Sequence, residues 1–126
     1  MIWQSGSTQV SAASSNIVSA GWSAPVNFST GDHVPGDLRV AVSDSGTAIL
    51  GWSEDGAPIQ FAVRNTIGGR WQRPIGLGSA NAGSPSIAFA PSGADVLWTQ
   101  PGKAVGPGGQ YPDTWIDTAA YSPSKP

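Results

Sequence analysis

Tryptophan returns in this chain at a fixed interval. Trp3 and Trp52 stand 49 residues apart, as do Trp22 and Trp71, and 19 residues separate Trp3 from Trp22 and Trp52 from Trp71. Aligned on these positions, "DLRVAVSDSG" from Asp37 lies over "SPSIAFAPSG" from Ser84, with Val40 over Ile87, Val42 over Phe89 and Gly46 over Gly93. The segments "VSAASSN", "IQFAVRN" and "IDTAAYS" form a third family that brings Ala13, Ala62 and Ala119 together. A repeat of this length restricts the fold more than any single segment does. It suits one four-stranded unit, because propeller blades repeat at about 40–50 residues.

Four strands are read in each unit. The first is "LRVAV" or "SIAFA", the second "AILGW" or "DVLW", the third "IQFAV" and its counterparts, and the fourth "WSAPVNF" or "WQRPIGL". Alternation in the first strand places Leu38, Val40 and Val42 on one face and Arg39 and Ala41 on the other. "SDSG", "SEDG" and "PSG" supply turn-forming Asp, Ser and Gly. The whole chain then holds ten strands, about two and a half units, in one domain. Its parts are a half blade over 1–21, repeats over 22–70 and 71–122, and a tail at 123–126. The expected class is all-β and propeller-like, with four-stranded antiparallel blades. Closing a propeller takes at least about four blades, since open ends leave unpaired edges. Because the boundaries cut a blade, further blades are expected from the same longer protein, or else from self-association.

Composition agrees and excludes several function classes. Charged residues are 11%, with 17 Gly and 11 Pro, and no stretch keeps apolar residues at helical spacing. The net charge is −2 and the six basic residues are scattered, which argues against nucleic acid, whose binding draws on clustered Lys and Arg. No apolar run reaches the roughly 20 residues of a membrane span. With no cysteine there is no disulfide, thiolate metal site or cysteine nucleophile. A Ser/Thr/Gly-rich, Lys-poor chain of this kind suits an extracellular or cell-surface bacterial protein. "MIWQSGSTQV" is not a signal peptide, so export information lies elsewhere in a longer protein or the chain is not exported.

"WSAPVNFS…LRVAVSDSGTAILGW" and "WQRPIGLG…SIAFAPSGADVLW" resemble the sialidase-type (BNR-like) β-propeller repeats of bacterial secreted and surface proteins. The resemblance spans nearly the whole chain in degenerate form. It implies a propeller fold and, in the catalytic members, glycoside hydrolysis. Asp44 and Gly46 fit the D-x-G of the sialidase Asp-box S-x-D-x-G-x-x-W, but Val42 replaces its Ser and Ile49 its aromatic residue. The second copy has Pro91 in place of the Asp, and Arg73-Pro74 falls in the repeated fourth strand. These departures weigh against sialidase catalysis.

Topology selects the end that carries chemistry. The fourth-to-first and second-to-third connections emerge at one rim, and there lie the long, charged loops 29–37, 53–59 and 99–114. The candidate ligand-binding residues are Asp32, His33, Asp37, Glu54, Asp55, Tyr111, Asp113 and Trp115. His33, the sole histidine, has carboxylates nearby that would suit a general base or a metal ligand, but one His with two nearby Asp matches no metal signature and reads more simply as a solvated loop residue. Glu54 and Asp55 fit half of a glycosidase carboxylate pair, and "EDG" is also a common turn. Tyr111, Asp113 and Trp115 suit sugar stacking and hydroxyl recognition, while Trp115 also fits packing between blades. The other five tryptophans recur at the blade period and read as inter-sheet packing. No Ser/His/Asp triad can be assembled from one histidine. No catalytic residue, metal or cofactor is assigned. Three readings remain: a non-catalytic module binding a glycan or a surface protein, a piece of a sialidase-like glycoside hydrolase whose catalytic residues lie outside this chain, and a purely structural, self-assembling ring.

Overall fold

The computed structural model describes residues 1–16, 21–102 and 114–122. Every regular element among them is a strand, and no helix is long and apolar enough to cross a membrane. Strands β1 (Ile2–Gln4), β2 (Gln9–Ala12) and β5 (Val26–Ser29) form a first antiparallel sheet in the order β1-β2-β5, beside a short ribbon of β3 (Ser15–Asn16) and β4 (Gly21–Trp22). A second sheet follows chain order: β6 (Pro35–Val42), β7 (Ala48–Glu54), β8 (Ile59–Arg64) and β9 (Ile75–Leu77). The third holds β10 (Gly83–Ala90), β11 (Gly93–Pro101) and β12 (Thr114–Tyr121).

Register shows that the sequence repeat is also a repeat of pairing. Trp3 faces Ser11, Trp52 faces Gln60 and Trp98 faces Asp117, each in the same ladder of its sheet. Two positions on, Leu50 pairs with Ala62 and Val96 with Ala119. The first sheet thus carries the second to fourth strands of the unit, the second sheet all four, and the third sheet the first three. Both hairpins between first and second strands turn on a glycine with positive φ, Gly46 (86°) and Gly93 (155°). A Cβ at Gly46 would overlap the Ile67 side chain, and one at Gly93 would overlap the Tyr121 carbonyl oxygen.

The second sheet is the middle layer. Alternate residues of β7 point to opposite sides, and both sides are covered. Leu50, Trp52 and Ala62 join Val10, Ala12 and Phe28 of the first sheet in one core. Ile49, Ile59, Phe61 and Val63 join Ala82, Ala94, Val96 and Trp98 in the other. Phe28 packs against Trp52 at 5.6 Å between ring centroids and edge-on against Trp71 at 5.9 Å, while Phe61 lies 6.4 Å from Trp98.

Two expectations are corrected. Trp22 does not pack between sheets: it is 61% exposed in the β3–β4 ribbon, opposite Ser15. Its repeat counterpart Trp71 rests on Phe28 of the preceding sheet, and the described residues provide no such sheet for Trp22. The fourth strands are also shorter than read, because the ladder starts only after Pro25 and Pro74, at Val26 and Ile75. Proline has no N–H to give a ladder. The face of β6 is covered unevenly for the reason that applies to Trp22. Leu38 packs on the first core, yet Val40 and Val42 are 44% and 59% exposed, while their counterparts Ile87 and Phe89 pack on the second core.

Candidate functional site

Three connections meet at the rim selected from the topology. The 29–37 loop is folded on itself: Thr30 Oγ1 donates to the His33 carbonyl at 2.6 Å, and the His33 amide returns to the Thr30 carbonyl at 3.1 Å. The loop is then tied to the end of β7. The Asp55 amide donates to the Val34 carbonyl at 3.2 Å, and His33 Nδ1 donates to the Asp55 carbonyl at 2.7 Å. A carbonyl oxygen only accepts, so Nδ1 is the donor in this bond. From the other side, the Asn81 amide donates to the Ala57 carbonyl at 3.1 Å, and Asn81 Oδ1 accepts from the Gly56 amide at 3.2 Å.

Between these loops runs a groove of about 520 Å³. Ser53, Glu54, Asp55 and Asn81 supply its polar side chains, and Val34, Pro35 and Ala82 its apolar ones. Glu54 is only 7% exposed, and its Oε1 accepts from the buried Trp52 indole at 2.8 Å. A core residue of the repeat thereby fixes the carboxylate at the groove. The second carboxylate, Asp55, follows directly. Together with Asn81 they form a wall rich in oxygen acceptors, suited to a ligand that presents hydroxyl or N–H donors.

Of the residues selected from sequence, Glu54 and Asp55 line the groove, and His33 is bonded to its margin. Asp32 is exposed in the same loop but is not part of the lining. Asp37 has a different task. It stands at φ 44° within a register shift between Gly36 and Arg39, and Ser84 stands at φ 52° in the equivalent shift between Gly83 and Ser86. Asp37 Oδ2 accepts from the Ser84 amide at 3.2 Å, so it bridges the two repeated bulges. Trp115 lies opposite Gln100 in the β11–β12 ladder, half exposed, with Nε1 donating to Asp117 at 3.2 Å, and it does not line the groove. Tyr111 and Asp113 lie outside the described residues.

Sequence reading missed the third wall, the turn ending in Asn81, Ala82 and Gly83. The signal was present in the repeat. Residues 78–83 form the second fourth-to-first connection, so they had to emerge at the same rim as 29–37. Their short, uncharged sequence "GSANAG" drew no attention. No family model, curated protein or solved structure showed a match to the chain.

Proposed function

We propose that this chain is a non-catalytic binding module on a propeller-like scaffold, recognising a glycan or a protein ligand at a bacterial surface or outside the cell. The observation that carries this reading is the division of labour within the repeat. Positions shared between copies, such as Trp52 and Trp98, go to the cores, while the connections that differ between copies converge on the 520 Å³ groove. A rigid sheet stack with unlike loops at one end is a common way to build recognition sites. Carboxylate and amide oxygens there favour hydroxyl-bearing ligands, and the apolar margin at Val34 and Pro35 provides contact for a sugar face or a side chain.

Glycan-array screening of the 126-residue chain, followed by calorimetry on the hits, tests the proposal. With a ligand in hand, Asn81→Ala and the isosteric Glu54→Gln should each weaken binding by about 1–2 kcal/mol, roughly tenfold or more. No hit on the array and no protein partner in pull-downs would overturn it. The adjacent Glu54 and Asp55 carboxylates favour a second reading, a portion of a sialidase-like glycoside hydrolase. Turnover of a glycoside panel by a longer form of the protein would select that reading.

A further inference from the structure

We infer that the groove takes a primary ammonium group, the side chain of a lysine on a partner polypeptide. The inference rests on the reading of this groove as the binding site and commits it to one ligand chemistry.

Charge balance is the first reason. Glu54 and Asp55 both line the groove, and among the described residues its lining contains no lysine, arginine or histidine. Glu54 is 7% exposed, so more than nine-tenths of it has left water. Its Oε1 accepts from the Trp52 indole, while Oε2 accepts from no described residue and is not sealed in the interior. A carboxylate withdrawn from water needs a donor and a compensating charge. A hydroxyl ligand supplies the donor alone and leaves two adjacent carboxylates unbalanced. An ammonium supplies both.

The free acceptors separate lysine from arginine. A guanidinium is held best by two parallel bonds to both oxygens of one carboxylate. At Glu54 one of those oxygens is already taken by Trp52, so the fork has no seat there. An ammonium is a compact point charge with three donors and no acceptor, and it needs only one oxygen from each carboxylate. The apolar lining suits the rest of the side chain. Val34, Pro35 and Ala82 offer aliphatic contact to a methylene stem. Among the described residues no aromatic ring lines the groove, so a sugar ring, including that of an amino sugar, lacks a flat face to stack on.

The test titrates the 126-residue chain with the peptide Gly-Gly-Lys-Gly-Gly, acetylated at its N-terminus and amidated at its C-terminus, and follows amide shifts by NMR. The controls are the same peptide with Nε-acetyl-lysine, the same peptide with arginine, and glucosamine. The Gly56 and Asn81 amides, which join two walls of the groove, should shift with a Kd in about the millimolar range. The acetylated and arginine peptides should bind at least about tenfold more weakly. Glu54→Gln keeps an oxygen for the Trp52 indole and should weaken the lysine peptide about tenfold with the rest of the spectrum retained. Asp55→Asn, at an exposed position, should do so without touching the interior. Raising the salt from about 0.1 to 1 M should also weaken binding, as the screening length falls from about 10 to 3 Å. No shift of Gly56 and Asn81 at up to about 10 mM lysine peptide, equal binding of the acetylated or arginine peptide, or tighter binding of glucosamine would overturn the inference. If the lysine peptide leaves those amides unmoved while a glycan-array hit or a pulled-down partner shifts them, the groove stands as a binding site and the ammonium assignment alone fails. If none of them shifts these amides, both fail.

Discussion

Trp52 and Trp98 occupy one repeat position, are sealed between sheets at 1% and 6% exposure, and differ in the surroundings of one atom. Trp52 Nε1 donates to Glu54, whereas Trp98 Nε1 is buried with no partner among the described residues. The residue that could serve it, Gln100, is engaged with Ser79: its Oε1 accepts from the Ser79 amide at 2.8 Å and its Nε2 donates to Ser79 Oγ. Replacing either tryptophan by phenylalanine removes the indole N–H and part of the ring. Transfer and cavity losses are similar at the two sites and largely cancel in the comparison. The hydrogen-bond terms have opposite signs. Trp52→Phe forfeits a bond to a carboxylate, about 1.5–3 kcal/mol, while Trp98→Phe removes an orphaned donor whose burial costs about 1–3 kcal/mol. Trp52→Phe should therefore destabilise the chain more than Trp98→Phe by about 3 kcal/mol. Urea unfolding followed by the fluorescence of the remaining tryptophans would read this as midpoints separated by about 1 M or more. Equal midpoints, or a lower one for Trp98→Phe, would refute the contrast in indole pairing.

The repeated hairpin glycines should also respond unequally. Gly93→Ala meets a backbone oxygen in the β11–β12 ladder and should cost more than about 3 kcal/mol, while Gly46→Ala meets the exposed Ile67 side chain, which can turn aside, and should cost about 1–2 kcal/mol. Thermal melts of the two variants check that order. Asp37→Ala should cost about 1–2 kcal/mol by removing the acceptor for the Ser84 amide at a residue that still has positive φ, and Asp37→Asn should recover most of it. Chemical denaturation of both variants decides whether the side-chain bridge or the bulge alone holds the pair.

The 49-residue interval made the pairing of second and third strands legible for the first two sheets, through Trp3 and Trp52 and through Ala13 and Ala62, and the likeness of the segments carried it to Trp98 and Ala119 across the unequal spacing of the third. Trp52, Trp98, Ala62 and Ala119 all stand where that alignment puts them. Trp22 does not, although its sequence context matches that of Trp71. Burial depends on what the preceding sheet offers, and a local window contains nothing about that sheet. Pro25 and Pro74 were visible, and their effect on strand length followed from proline lacking a donor. The Asp37 and Ser84 bulges were hidden because apolar alternation continues on either side of them, and neither residue is a glycine that would advertise positive φ. At the groove, charge made Glu54 and Asp55 conspicuous. Asn81 was not, since its part depends on backbone bonds to Gly56 and Ala57 from a distant turn.

The covering of β7 on both faces also sets the motion of the groove. Opening either outer sheet uncovers only one side of the middle layer, so β7 and β8 should be the last segments to exchange their amides, and the outer sheets the first. Glu54 and Asp55 extend directly from the end of β7 and inherit its slow dynamics. The loop bearing His33 joins β5 to β6 and is tied to the end of β7 through bonds at Asp55, and to the turn before β2 through the Thr30 amide, which donates to the Thr8 carbonyl at 3.0 Å. The two facing walls of the groove are therefore joined at Asp55, and the His33 loop and the carboxylate wall should move together.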